Sequence, residues 1–202
     1  MFAQTIRARV SDPGSVEPVV NRWMTELAPG ATGWLGSTSG VTESGELFVL
    51  VRFDSEESAR SNSDRPEQGA WWAEMEALLD GEAQFRDSND VEVESVGDLD
   101  SAGFVQVILA KSTDLDRSKE LMNSDLDQRA AARPDILGSV GVGQPDGEFT
   151  YVVYFTSEAA ARAGEQQEMP PEVQAAMQEL MSLGERPPEY LDLKQPRLDS
   201  PA

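Results

Sequence analysis

Phe2-Ala3-Gln4-Thr5-Ile6-Arg7-Ala8 returns 102 positions later as Phe104-Val105-Gln106-Val107-Ile108-Leu109-Ala110. The same offset aligns Leu35-Gly36-Ser37 with Leu137-Gly138-Ser139 and Gly45-Glu46 with Gly147-Glu148. It also aligns Phe53 with Phe155, Ser55-Glu56 with Ser157-Glu158, Ala59-Arg60 with Ala161-Arg162, and Met75 and Leu78 with Met177 and Leu180. Positions 2–80 hold 21 identities in 79 positions without a gap. Chance similarity of composition does not keep one offset through so many separated blocks. The chain therefore reads as two homologous modules, each of about 100 residues, an ordinary domain size. The expected organisation is module one at 1–96, a linker at 97–102, module two at 103–194, and a loose tail at 195–202 that contains Pro196 and Pro201. Two copies of one pattern should build one fold twice, at the constant offset of 102.

Each module reads β-α-β-β-α-β. In module one, Phe2 to Val10 alternates as a strand. Asp12-Pro13-Gly14-Ser15 is a turn and helix start, and Val16, Val19, Val20, Trp23, Met24 and Leu27 then form one apolar helical stripe. Pro29-Gly30 stops it. Strands follow near Thr32–Ser39 and at Glu46–Phe53, the second apolar on both faces. Ser55 is placed to cap a short helix, with Glu56 and Glu57 opposing its dipole. Pro66 opens a further helix that turns Trp72, Met75, Leu78 and Leu79 inward and ends near Gly81. A last strand falls within Ala83–Val96. Module two repeats the plan. It has strands at 104–111, 135–142, 148–155 and 189–194, and helices at 115–132, 157–164 and 170–183.

The composition closes off many functions. The 202 residues hold 37 acidic and 16 basic groups, a formal charge of −21. Phosphate backbones and anionic lipid surfaces need clustered Lys and Arg, so neither nucleic acid nor membrane is an expected partner. Histidine and cysteine are both absent. This removes disulfides, thiolate metal sites, Ser-His-Asp and Cys-His catalysis, and His-ligated haem. The apolar runs are strand-length, short of the ~20 residues that span a bilayer. The first residues have no basic segment followed by a long apolar run. A cytoplasmic protein is expected.

The β-α-β-β-α-β plan is ferredoxin-like. One such module leaves a sheet face uncovered by its own helices, and pairing two modules sheet to sheet covers it. The strand pattern, the transition Phe53-Asp54-Ser55-Glu56-Glu57-Ser58-Ala59-Arg60 and the segment from Asn62 to Trp72 carry a resemblance to the dimeric α+β barrel superfamily, of the antibiotic-biosynthesis-monooxygenase type. That last segment looks like one in actinobacterial members. The resemblance covers 2–95 and 103–194. It implies an α+β fold of two tandem ferredoxin-like modules packed as an intramolecular pseudo-dimeric barrel, with further oligomerisation left open. It also implies a ligand cavity between helices and sheet. The superfamily includes cofactor-free quinol oxygenases, haem-degrading oxygenases and isomerases. Ile6 or Ala8 stands near the strand position where haem-degrading members carry Asn, and no histidine is present to ligate iron. No cofactor and no metal are expected.

The candidate ligand residues are Gln4, Trp71, Trp72, Met75, Gln106 and Tyr154. Gln4 and Gln106 are amides on an otherwise apolar strand face. Such groups need partners, from the protein itself or from a ligand. Trp71 and Trp72 either wall an aromatic pocket or fill the core. At the 102 offset their counterparts are Val173 and Gln174, so a site is expected in module one, bordered by Gln4, the tryptophans and Met75. Arg7, Arg9 and Arg52 share the opposite sheet parity and read as an ion-pair cluster or an anion site. Tyr154 has that parity too. Gly138-Ser139-Val140-Gly141-Val142-Gly143 lacks the order of a phosphate loop. Asp98/Asp100, Asp114/Asp116 and Asp125/Asp127 lack the calcium-loop pattern.

Two functions remain open. One is a haem-free, metal-free monooxygenase-like enzyme acting on a small aromatic or quinol-type compound. The other is a non-catalytic module that binds a small apolar molecule or a protein. A pocket beside Gln4 with two or more further polar side chains favours the first.

Overall fold

The computed structural model describes residues 1–123 and 131–201. In chain order its first elements are β1 (Phe2–Arg9), α1 (Val16–Arg22), β2 (Trp34–Val41), β3 (Glu46–Phe53), α2 (Glu56–Ser63), α3 (Pro66–Glu76), β4 (Gln84–Ser88) and β5 (Val91–Ser95). Then come β6 (Phe104–Lys111), α4 (Leu115–Asn123), β7 (Ile136–Gly143), β8 (Glu148–Phe155), α5 (Glu158–Glu165), α6 (Pro171–Ser182), β9 (Glu189–Leu193) and β10 (Arg197–Asp199). Of the helix expected at 115–132, the part at 124–130, with Asp125 and Asp127, lies outside the described residues.

The chain divides into two compact units, Met1–Val91 with Gln195–Ala202, and Glu92–Lys194. Each is built on one five-stranded sheet, in the orders β10-β2-β3-β1-β4 and β5-β7-β8-β6-β9. In unit one β1 runs antiparallel to β3, with Phe2 opposite Phe53, Gln4 opposite Val51 and Ile6 opposite Val49. Unit two repeats this register between β6 and β8: Phe104 opposite Phe155, Gln106 opposite Val153, and Ile108 opposite Tyr151. Both faces of β3 are apolar, as the sequence implies, and Phe48 and Leu50 are fully buried. The helix caps also follow the sequence. The Ser55 side chain accepts the Ser58 N–H at 3.1 Å, and that of Ser157 accepts the Ala160 N–H at 3.2 Å. The first helical stripe does not stay α-helical. After Arg22 it widens into a π turn at Trp23–Leu27, which buries Trp23 and Leu27, and it closes as a 3-10 turn at Ala28–Gly30 where Pro29 stands.

Three expectations need correction. First, the offset of 102 holds only as far as α2 and α5. Gln4 faces Asp87 and Gln106 faces Asp192, so the partners lie 105 apart where the glutamines lie 102 apart. The bridges Val10–Leu79 and Ser112–Gly184 show the same change. Two residues, Asp64-Arg65, join α2 to α3, whereas five, from Gln166 to Pro170, join α5 to α6. A connection absorbs three extra residues at little cost because it lies outside the hydrogen-bonded elements. The structural counterparts of Trp71 and Trp72 are therefore Ala176 and Met177, not Val173 and Gln174. Second, the residues after 194 are not a loose tail. Arg197, Leu198 and Asp199 pair with Ser39, Thr38 and Ser37 and complete the sheet of unit one. Pro196 and Pro201 flank the strand and leave its ladder intact. Third, module one does not end at 96. The segment 83–96 makes two strands, and the second, β5, lies at the edge of the unit-two sheet beside β7.

A glycine makes each of these edges possible. Gly36 and Gly138 lie at bulges in β2 and β7, with φ of 134° and 154°. A Cβ on Gly36 would stand 2.9 Å from the Asp199 carbonyl oxygen, and one on Gly138 would collide with the Glu94 carbonyl oxygen. Gly36→Ala and Gly138→Ala are each expected to cost about 1–3 kcal/mol in denaturant titrations, from the φ and the backbone clash together. Gly69, in α3, has none of the described residues within 4 Å of the place a Cβ would take, and it serves as control. Gly69→Ala is expected to stabilise by about 0.5–1 kcal/mol.

Candidate ligand cavities

In unit one the face of β1 and β3 that carries Phe2, Gln4, Ile6, Val49, Val51 and Phe53 is one wall of a cavity of about 520 Å³. Val20, Trp71, Trp72 and Met75 come from α1 and α3 opposite. The sequence-derived residues Gln4, Trp71, Trp72 and Met75 thus meet in one place. Aromatic rings dominate. Trp23 and Trp71 lie 6.4 Å apart, Trp71 and Trp72 6.2 Å, and Trp72 meets Phe85 edge-on at 5.0 Å. Two of the indoles are tied down by hydrogen bonds: Trp23 donates to Gln68 Oε1 at 2.7 Å and Trp71 to the Val19 carbonyl at 2.8 Å. This fixes the orientation of both rings in the wall.

Gln4 donates from Nε2 to Asp87 Oδ1 at 2.7 Å. The two residues are directly opposed on β1 and β4, and both line the cavity. Because a carboxylate only accepts, the amide nitrogen must face it, and the amide offers its carbonyl oxygen as a further acceptor. Arg60, Asn62, Ser37 and Ser39 add polar side chains to the same lining. Asp87 did not emerge from the sequence. Its signal was the recurrence of Phe85-Arg86-Asp87 as Tyr190-Leu191-Asp192, visible only once the offset becomes 105.

Unit two holds a cavity at the corresponding place, and at about 630 Å³ it is the larger of the two. The expectation of a site in module one alone is thereby widened. The reason is local: Ala176 and Met177 stand where unit one has two tryptophans, and no residue of α6 is buried, whereas α3 buries Met75. Gln106 repeats the role of Gln4 and donates to Asp192 Oδ1 at 3.0 Å. Here, however, Arg162 also grips Asp192 and pairs with Glu165 at 2.9 Å and Glu158 at 3.7 Å. Partial burial works against the Arg162 charge, but the hydrogen bond to Asp192 and the carboxylates of Asp192 and Glu165 raise its pKa above the ordinary value. Its counterpart Arg60 turns to Glu56 at 2.9 Å instead, and among the described residues Asp87 has no cation on it.

Tyr154 does not belong with these residues. It is 1% exposed, pairs with Val105 and Gly138, and has the sheet parity opposite to Tyr151, Val153 and Phe155, which line the unit-two cavity. Arg7 pairs with Glu46, and Arg9 donates to the Ser44 carbonyl at 3.1 Å, so both serve the sheet. Among the described residues the buried Arg52 Nε has no hydrogen-bond partner. Asp98 and Asp114 cap local turns through the N–H groups of Asp100 and Arg117. Among the described residues no cluster of three or more acidic side chains is arranged to hold a metal ion, and no helix is long and apolar enough to cross a membrane.

No protein-family model and no curated protein sequence matches the chain. Solved structures do. A candidate monooxygenase from Fusobacterium nucleatum aligns over 98% of this chain and 94% of its own, with a TM-score of 0.78 at 7% identity. A candidate monooxygenase from Lactobacillus acidophilus aligns over 98% and 95%, with a TM-score of 0.76 at 11% identity. An anthrone oxidase-like protein aligns over 98% and 92%, with a TM-score of 0.69 at 13% identity. The chain therefore shares the α+β fold of these proteins along nearly its whole length, with one sheet of the same strand order in each unit. At these identities the likeness is one of fold, and function has to be argued from the cavities.

The two carboxylates should respond differently to neutralisation. Asp192→Asn strips Arg162 of a partner and is expected to cost about 1 kcal/mol in denaturant titrations, the figure staying modest because the pair is partly exposed. Asp87→Asn keeps an acceptor for Gln4 and removes no ion pair, so its effect should stay within about 0.5 kcal/mol.

Proposed function

We propose that this chain is a haem-free, metal-free monooxygenase-like enzyme that oxidises a small aromatic or quinol-type compound in the cavity of unit one. The observation that carries the reading is the Gln4–Asp87 pair, which lines the same cavity as the rings of Phe53, Trp71 and Trp72. Apolar pockets with a few convergent polar groups are the usual form of small-molecule sites. The indole faces of Trp71 and Trp72 suit a flat ligand. Four or more polar side chains beside Gln4 support the enzymatic reading over a purely apolar binding module. The haem-free part of the proposal rests on the amino-acid composition, which supplies neither histidine nor cysteine.

Electron-rich aromatics react with dioxygen through their anions, so the residues have two tasks. Asp87 takes the acidic proton of the bound substrate. A ligand bound against the tryptophans brings its acidic proton to this carboxylate. The Gln4 amide holds Asp87 and accepts from a substrate hydroxyl, which fixes the ring against the tryptophans. For a ring methylene the overall change with dioxygen is CH2 to C=O, one oxygen atom staying on carbon and the other leaving as water with both hydrogens. The anthrone oxidase-like description of one structural neighbour supports 1,8-dihydroxyanthrone as the probe.

Oxygen uptake with that anthrone should be catalysed by the full chain and should quench tryptophan emission on binding. Asp87→Asn should lower kcat by about 10²-fold, the usual scale for losing a general base, with KM little changed. Gln4→Leu should raise KM. Uptake no faster than the uncatalysed reaction, or rates indifferent to both substitutions, would overturn the proposal.

A further inference from the structure

The two cavities occupy equivalent places, and both have rings on the sheet side, Phe149, Tyr151 and Phe155 in unit two, but the helix opposite differs: Trp71 and Trp72 in unit one, Met177, Leu180 and Met181 in unit two. In unit two, Met122, Met177, Met181, Leu180, Ile108 and Ile136 provide much of the apolar lining. Methionine side chains are unbranched and adaptable, and they accommodate flexible ligands where fixed rings would not. α6 carries Val173, Ala176, Met177, Leu180 and Met181 without burying any of them, and at the mouth Met177, Met181 and Tyr190 are 38%, 68% and 54% exposed. An apolar helix stripe standing off its own sheet leaves space for an apolar body.

The charges narrow the ligand further. Lys111, Arg133, Arg162 and Arg186 all line this cavity, but each is already paired: with Glu185 at 3.1 Å, with Asp135 at 2.7 Å, with Asp192, and with Glu148 at 3.3 Å. Glu94 lines it as well and has no cation among the described residues, only the Ser139 hydroxyl at 3.5 Å. An anionic head would meet neutralised cations and an uncompensated carboxylate. What the wall does offer is the carbonyl oxygen of Gln106, whose amide nitrogen is committed to Asp192.

We infer that unit two is a second and chemically different site, one that takes a neutral, flexible, largely aliphatic molecule with a hydroxyl donor, whereas unit one takes flat aromatics. The inference stands apart from the proposed oxidation, because its ligand and both of its deciding substitutions belong to unit two.

A spectroscopic asymmetry makes it testable. All four tryptophans, Trp23, Trp34, Trp71 and Trp72, lie in unit one, and none of the chain's tryptophans is in unit two. Calorimetric titration of the full chain with 1-decanol is expected to show saturable binding at one molecule per chain, with tryptophan emission unchanged. Decanoate at pH 8, of the same chain length but charged, should bind about tenfold more weakly or worse. Met177→Trp, which rebuilds the Trp72 position of unit one, should weaken 1-decanol by about tenfold or more, and Gln106→Leu by several-fold. The second substitution decides the matter if the first disturbs folding, as judged by circular dichroism. Decanoate binding as tightly as the alcohol, emission that changes with 1-decanol, or indifference to both substitutions would overturn the inference. Failure of the anthrone oxidation would leave every one of these readings intact, and the converse also holds.

Discussion

The cavities depend on the register between the two central strands of each sheet. With Gln4 opposite Val51 and Ile6 opposite Val49, one face collects Phe2, Gln4, Ile6, Val49, Val51 and Phe53. A slip of one residue would send that set to the other face and bring Ala3, Thr5 and Arg7 in its place. The register is strongly specified because both faces are apolar: Phe48 and Leu50 are fully buried on one side, and Leu47 and Phe53 are buried on the other. The cross-strand Gln–Asp pairs exist only because this alignment, repeated against β4 and β9, puts an amide and a carboxylate in direct opposition twice.

Duplication gives two copies of one scaffold, and small local changes then separate their chemistry. Three additional residues between α5 and α6 shift the sequence along the last helix, so that Ala176 and Met177 face the space filled elsewhere by Trp71 and Trp72. The same scaffold holds Arg60 on Glu56 in one unit and Arg162 on Asp192 in the other. One carboxylate keeps its negative charge available, and the other spends it on a guanidinium. The rest of the wall needs no rearrangement for these two differences to change which molecules fit and what can be done to them.

Much of this was legible from the chain alone. The strand alternation of Phe2–Ala8, the serine caps and the apolar stripe through Met75 are local signals, and local signals survive folding. Gln4, Trp71, Trp72 and Met75 came together as expected, because parity and helical spacing place them on facing surfaces. The errors are long-range. Matches at Ala73, Met75 and Leu78 prolonged the offset of 102 past the point where the backbone abandons it, since Ala, Met and Leu recur easily in helices. Asp87 was hidden because its partner lies 83 residues away across the sheet. Arg197-Leu198-Asp199 announces no strand because the four residues between Pro196 and Pro201 carry too little periodicity. Tyr154 has the parity of the other sheet face, which keeps it out of the cavity that Tyr151, Val153 and Phe155 line.

The exchange of edge strands bears on how the chain reaches its native state. The β2 edge of the first sheet is closed by residues more than 150 positions further along, after the whole of the second unit has been made. During vectorial synthesis that edge stays unpaired for as long as the ribosome needs to complete the remainder, and unpaired edges invite association with neighbouring nascent chains. The second unit has no such delay, because β5 emerges before β7. The first sheet to start is therefore the last to finish. A gene cut between the repeats would produce a leading half that carries a strand for the other sheet and lacks the one that completes its own.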